Sequence, residues 1–369
     1  MKSRFYILIL IISTSITACA QDKNSTNTNY SHQVVVPDLS IPWGFVFLPD
    51  NSVLITEKTG QLIQYKNEKK TDIKGLPKIH VYGQGGLMDV ALHPNYKSNG
   101  WIYFSYASAE GEVNGGHTAI ARAKLKNNTL IDFQVLYKAS PNTKAGQHFG
   151  SRIVIDKDHF LYFSIGERGE RDINPQDLTR DGGKIYRLHD DGSIPKDNPF
   201  INLPNAKKAI YTYGHRNPQG MAIHPETQAI WIHEHGPKGG DEINIIKAGN
   251  NYGWPKVTYG VNYSGTKITD KTTLPGMTEP IHYWNPSIAP SGMAFITSEL
   301  YPEWKGNILV GSLKFQYLDL CYLKDEKVIK EERLLDGLGR VRSVVQGPDG
   351  YIYAGIENVG IIKIIPKKK

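Results

Sequence analysis

Read for its apolar and polar positions, the chain repeats one design six times: a short apolar run, a turn made of Pro, Asp, Asn or Gly, and a second strand that alternates or is rich in aromatics. The copies are FVFLPDNSVLITE from Phe45, VALHPNYKSNGWIYFSY from Val90, IVIDKDHFLYFSIGE from Ile153, MAIHPETQAIWIHE from Met221, MAFITSELYPEWKGNILVGS from Met293 and SVVQGPDGYIYAGIE from Ser343. A period of two puts successive side chains on opposite faces of a strand, and the turn residues supply the dihedrals a reversal needs, so each copy predicts a β-hairpin. Long stretches with a helical period are absent. The copies begin about 45 to 72 residues apart, which leaves room for four short strands each and predicts sheets arranged radially. The predicted fold is all-β: a six-bladed β-propeller of four-stranded antiparallel blades, occupying residues 36–369 as one domain. Two β-sandwich domains are the rival architecture, but no Pro/Ser-rich linker interrupts residues 40–365. In a propeller the chemistry gathers at one mouth of the central channel, so functional residues should flank the innermost strands.

The N-terminus breaks the pattern. Lys2 and Arg4 precede the apolar run FYILILII and then STSITACA, which reads as a secretory signal too short to span a bilayer. Ile16-Thr17-Ala18-Cys19 has the form of a lipobox, predicting a lipid at Cys19, residues 20–35 as a polar tether, and a place on the periplasmic side of a bacterial membrane. A plain signal peptide is the alternative. Cys321 is the other of the two cysteines, so no intramolecular disulfide is expected and stability must come from packing. The net charge of +7 comes partly from scattered lysines and a terminal PKKK; without a basic helical stripe it gives no reason to expect a nucleic-acid partner.

Charge at the strand ends changes the picture more. Arg340 and Arg342, in GLGRVRSVVQGPDG, are two positions apart and share a strand face, where two guanidiniums repel unless an anion lies between them. Lys314 follows NILVGSL at what reads as the corresponding place in the fifth blade, and Arg216 lies in GHRNPQGMAIHP before the fourth hairpin. Four cations at one mouth predict a small polycarboxylate or phosphate ligand. In HEHGPKGGDEIN, Gly236, Pro237, Gly239 and Gly240 stand beside Asp241 and Glu242. Accessible carbonyls next to carboxylates suit a hard cation such as calcium, although a tight turn with solvated acids is an equal reading. His148, in AGQHFGSRIVID, is a candidate general base just before the third inner strand, with Gly150 thinning the wall beside it; a structural histidine is the plainer alternative. His233 and His235 share a strand face but lack a third partner at zinc spacing. G-x-S-x-G, Walker and dinucleotide fingerprints are absent.

Taken in order, GQGGLMDVALHP, HFGSRIVID, GKIYRLHDDGSIPKDNPF, YGHRNPQGMA, EHGPKGGDEIN with NNYGWP, APSGMAF, GSLK and GRVRSV resemble the soluble pyrroloquinoline quinone (PQQ) dependent glucose and sorbosone dehydrogenase family, and its bacterial aldose sugar dehydrogenase branch, from Pro42 to Ile364. The resemblance implies a six-bladed propeller, PQQ and Ca2+ as cofactors, an aldose substrate and a periplasmic electron acceptor. It implies His148 as the base that takes the anomeric hydroxyl proton, with Arg216 stabilising charge. Gln84, Arg216, Asn217, Tyr263, Lys314, Arg340 and Arg342 would hold PQQ. Main-chain oxygens of Gly236 and Pro237 would bind the calcium beside it, and Glu242 with the main-chain oxygen of Tyr252 a second, structural calcium. One position departs from the family pattern: Gln147 stands where the glucose dehydrogenase branch has an aspartate, leaving the tuning of His148 without an identified carboxylate. Compact loops between blades imply broad aldose acceptance. Two further readings of the same architecture are a non-catalytic sugar- or protein-binding propeller and a calcium-dependent lactonase-like hydrolase. The first has no use for the converging cations, and the second needs several carboxylate side chains on the channel metal.

Overall fold

The computed structural model describes residues 29–367, which form six four-stranded antiparallel sheets. Each predicted hairpin is the inner pair of one sheet. The first runs Pro42–Phe47, Val53–Glu57, Gln61–Lys66, Lys69–Asp72 from axis to rim, and the other blades repeat that order. Val53–Glu57 is buried along its whole length, whereas Lys69–Asp72 is exposed at both ends, so burial falls off outward as the sequence grows polar. The core lies between neighbouring blades rather than inside any one: Leu309 and Leu320 of the fifth blade pack with Val344, Ile352 and Ile362 of the sixth. Among the described residues no helix is long and apolar enough to cross a membrane.

The ring closes with a strand the hairpin pattern did not reveal. Tyr30–Pro37 pairs antiparallel with Gly360–Pro366 as the outermost strand of the sixth blade, with a bulge between Val34 and Val36. Its first residue is anchored by aromatic packing, the Tyr30 ring centroid lying 4.1 Å from that of Trp304. The predicted tether, residues 20–35, therefore ends too late: from Tyr30 onward the chain belongs to the propeller. The signal, Cys19 and the rest of the tether lie outside the described residues.

One side chain ties all six blades together at the axis. Arg152, on the third blade, donates Nε–H to Gln219 O at 2.6 Å, Nη1–H to Trp43 O and Asp89 Oδ1 at 3.2 Å each, and Nη2–H to Arg342 O at 2.7 Å and Ser291 Oγ at 3.5 Å. Its partners come from the fourth, first, second, sixth and fifth blades, and both Arg152 and Asp89 are buried. The plug separates the mouth from a channel cavity of about 390 Å³ lined by the six innermost strands. Removing one member of a buried ion pair strands the other charge, so Arg152→Met should cost ~3–5 kcal/mol of folding stability, read as a lower denaturant midpoint. Arg152→Met combined with Asp89→Asn should recover part of that loss.

Candidate active site

In each blade the loop into the innermost strand and the loop out of the second strand open on the same end of the channel. Four blades share one backbone hydrogen bond there: the first residue after the second strand donates its N–H to a residue just ahead of, or leading into, the innermost strand. The pairs are Lys58 to Ile41 O (3.1 Å), His235 to Asn217 O (3.1 Å), Leu313 to Ala289 O (3.0 Å) and Glu357 to Arg340 O (3.0 Å). All but Asn217 line a hollow of about 380 Å³, joined there by Trp43, Gln84, Phe149 and Arg342. A second hollow of about 680 Å³ shares His235, Ala289 and Arg340 with it and adds Gly236, Pro237, Tyr259, Tyr263 and Lys314.

His148 stands at this end on a constrained loop. Its φ of 57° is left-handed, its backbone N–H donates to Gln84 Oε1 at 2.8 Å, and its side chain is 14% exposed. A Cβ on Gly166 would sit 2.4 Å from His148 O and 2.6 Å from Asn217 Oδ1, so the close approach of the third and fourth blades requires glycine there. The His148 Nδ1 contacts Glu167 Oε1. Burial holds the imidazole below its ordinary pKa, Glu167 pulls the other way, and the nearby Arg216 charge adds to the fall, so the ring is neutral at neutral pH. With the Nδ1 proton donated to Glu167, the Nε2 lone pair is free to accept a proton. The carboxylate that Gln147 fails to supply is therefore Glu167, delivered by the loop after Phe160–Ile165. Arg168 braces the same loop: it donates to Ala145 O (2.7 Å), Gly116 O (3.3 Å) and Gln147 O, with its guanidinium 3.4 Å from the Phe149 ring centroid.

Arg340 and Arg342 do converge, but the anion between them is the chain's own. Arg340 Nε meets Glu357 Oε2 at 2.7 Å, and Arg342 Nε meets Oε1 at 3.0 Å. Against burial, which raises it, Arg342 and Arg340 pull the Glu357 carboxyl below its ordinary value. Arg340 is still 47% exposed toward the mouth. Lys314 occupies a different place from Arg340, after the second strand of its blade rather than before the first, and its ammonium lies 4.7 Å from the Phe315 ring centroid. Tyr263 is on the wall of the larger hollow, 75% exposed. Arg216 lies deeper than the rim, buried, donating to His235 O at 3.1 Å and Gly236 O at 2.7 Å. Asn217 accepts from Gly150 N–H at 3.0 Å and so brackets the histidine loop.

Arg216 also borders a small cavity of about 10 Å³, with Gly214, Glu234, Gly236, Glu242 and Tyr252. Glu234 and Glu242 lie directly opposite each other on paired strands. Asn244 Nδ2 reaches both, at 3.3 and 3.2 Å, while its Oδ1 is buried without a partner. Burial, then the Glu234 charge, push the Glu242 carboxyl up. Glu234 and Glu242 border this space beside Arg216, whose Nη1 is engaged by His235 O and Gly236 O, and two facing carboxylates fit a hard divalent cation. At the mouth, Gly236 O accepts from Arg216 and Pro237 O from Ser287 Oγ at 3.4 Å; each carbonyl has a second lone pair for a cation.

One more cluster exists among the described residues, at the opposite end of the channel. Candidate ligand atoms of His93, His159 and Asp190 lie within 4.8 Å of one another. His93 Nδ1 accepts from Asn95 N–H at 2.9 Å and from Asn99 Nδ2 at 2.8 Å, while Asn99 Oδ1 accepts from Trp101 N–H at 3.1 Å, which fixes the amide. The proton is therefore on Nε2, donated to Asp190 Oδ2 at 3.1 Å. A metal on Nε2 would force a proton onto Nδ1 against two donors, so the cluster fits a hydrogen-bonded clip and not a metal.

The glucose/sorbosone dehydrogenase family model matches residues 39–363. The chain belongs to that family. It is 37% identical to the aldose sugar dehydrogenase YliI of Escherichia coli over 99% of each chain. The apo form of the soluble aldose sugar dehydrogenase from Escherichia coli superposes with a TM-score of 0.87 at 37% identity, covering 92% of this chain and 100% of that one. A PQQ-bound aldose sugar dehydrogenase from Streptomyces coelicolor superposes at 0.74 with 27% identity, over 92% of this chain and 99% of that one.

The site residues missed from the sequence are Glu167, Glu357, Lys58 and Glu234. All four sit at or just beyond the end of a blade's second strand. That register was the available signal, since acids and lysines in loops otherwise carry no information.

Proposed function

We propose that the protein oxidises the anomeric carbon of aldose sugars to lactones, using bound PQQ and calcium. The single observation that carries the reading is a neutral imidazole, held by Glu167 through Nδ1, on a loop whose hydrogen-bond partner Gln84 and next residue Phe149 line a cationic hollow with Arg340 and Arg342. A flat tricarboxylate is the electrostatic complement of that hollow. Gln84, Asn217, Tyr263, Lys314, Arg340, Arg342 and Arg216 would hold it. The main-chain oxygens of Gly236 and Pro237 would bind calcium beside it, and Glu242 with the main-chain oxygen of Tyr252 a second calcium. When bound, PQQ supplies an ortho-quinone that takes up the hydride equivalent of the oxidation.

The remaining work belongs to the chain. His148 Nε2 takes the proton of the anomeric hydroxyl, and Glu167 offsets the positive charge that then forms on the ring. Burial keeps the resting base unprotonated, and Arg216, fixed by two carbonyls, adds to this with a buried positive charge close to His148. A lactonase-like reading is less favoured, because Glu234 and Glu242 border the small cavity and neither hollow of the mouth, which offers a metal main-chain oxygens. The rim is open, with Tyr263 standing well out of the surface, which supports acceptance of many aldoses with weak discrimination. The signal at residues 1–19 supports export with lipid on Cys19; labelling with a fatty acid should be lost in Cys19→Ser.

Dye reduction by the purified protein with PQQ, calcium and several aldoses tests the proposal. Turnover is expected with most aldoses, at kcat/KM values within about tenfold of each other, the scale of one modest contact. No turnover would remove the enzymatic reading, and a steep preference for one sugar over its epimers would remove the broad specificity.

A further inference from the structure

We infer that Lys58 is an additional cation of the cofactor grip, meeting a carboxylate of the planar polycarboxylate bound in the mouth; this rests on the function proposed above. Lys58 is the first residue after Val53–Glu57, the register that His235, Leu313 and Glu357 hold in the fourth, fifth and sixth blades. All four line the same hollow. The position is thus fixed by the repeat that builds the mouth.

No group among the described residues bonds its charge directly, and Glu357 acts on it only at a distance. Arg340 and Arg342 share Glu357, but the Lys58 ammonium makes no hydrogen bond or ion pair among the described residues. Its stem is pressed against the second blade, for a Cβ on Gly86 would sit 1.9 Å from Lys58 O and 3.0 Å from Lys58 Cγ. Arg342 repels this half-buried ammonium, Glu357 offsets the repulsion only in part because it is bonded to two guanidiniums, and an added anion would relieve the rest. Burial and then the Arg342 charge lower the Lys58 pKa, with Glu357 pulling the other way.

The test is calorimetric titration of the calcium-saturated, cofactor-free protein with PQQ. Lys58→Met keeps an apolar stem and removes the charge; its dissociation constant should rise about tenfold, a loss typical of a charge-assisted hydrogen bond. Lys58→Arg should restore most of the affinity, and binding by Lys58→Met should weaken less steeply with added salt than that of the unaltered protein. Equal affinity and equal salt dependence in Lys58→Met, with an unchanged thermal midpoint, would overturn the assignment of Lys58 alone. A lower midpoint together with failure of Lys58→Arg to restore binding would overturn it too, by showing a structural role. If the unaltered protein binds no PQQ, the functional proposal falls and this inference with it.

Discussion

Replacing His148 with alanine is expected to lower kcat by ~10²–10⁴-fold, the range for losing a positioned general base, while KM changes little. The expectation rests on Glu167 holding Nδ1, which leaves Nε2 as the proton acceptor, and on the loop geometry that Gly166, Asn217 and Arg168 impose. It carries a pH signature. Because burial lowers the imidazole pKa below its ordinary 6.5, the base form persists as pH falls to 6.5, and kcat/KM should drop only at lower pH. Glu167→Gln removes the partner that raises that pKa. Its acid limb should move to still lower pH, and its plateau should fall because the weaker base takes the proton less readily. A pH–rate profile measures both; an acid limb that moves upward in Glu167→Gln would refute the pairing.

Stripping calcium with a chelator should destabilise the fold substantially. Glu234 faces Glu242 at the edge of the small cavity, and a cation bound there at a hundredfold excess over its dissociation constant would stabilise the native state by about 2.7 kcal/mol. For a domain of this size that is a shift of roughly 3–5 °C in the thermal midpoint. The sign of a substitution should then depend on the metal. Glu242→Gln removes one of two repelling carboxylates, so it should raise the midpoint of the chelated protein yet lower that of the calcium-loaded one. Scanning calorimetry with and without calcium reads both arms, and a Glu242→Gln change of the same sign in each would show that Glu242 holds no cation.

How much of this was legible in the sequence depended on how local the physics was. The six inner hairpins were visible because each is a contiguous pattern of alternation and turn, settled by residues next to one another. The closing strand Tyr30–Pro37 was not, because its partner is at the other end of the chain: Ser31 Oγ donates to Ile365 O, 334 positions away. YSHQVVVP carries too little apolar alternation to separate it from a tether. The cations Arg216, Arg340 and Arg342 stood out because charge beside an apolar inner strand breaks the pattern. Their counter-groups did not stand out. Glu357 and Glu167 follow strands, where acids are common, and acquire meaning only when the propeller register turns them onto Arg342 and His148. The Gln147 departure was read locally as a missing carboxylate, when the fold supplies one from nineteen residues further along.

The most direct measurement of the central claim is a crystal structure of the protein with PQQ and calcium. The account predicts one tricarboxylate at the mouth, its carboxylates on Arg340, Arg342, Lys58 and Lys314, with calcium on Gly236 O and Pro237 O and the quinone edge toward His148. Density for the ligand on another face, or at the mouth with its carboxylates turned from those cations, would contradict it.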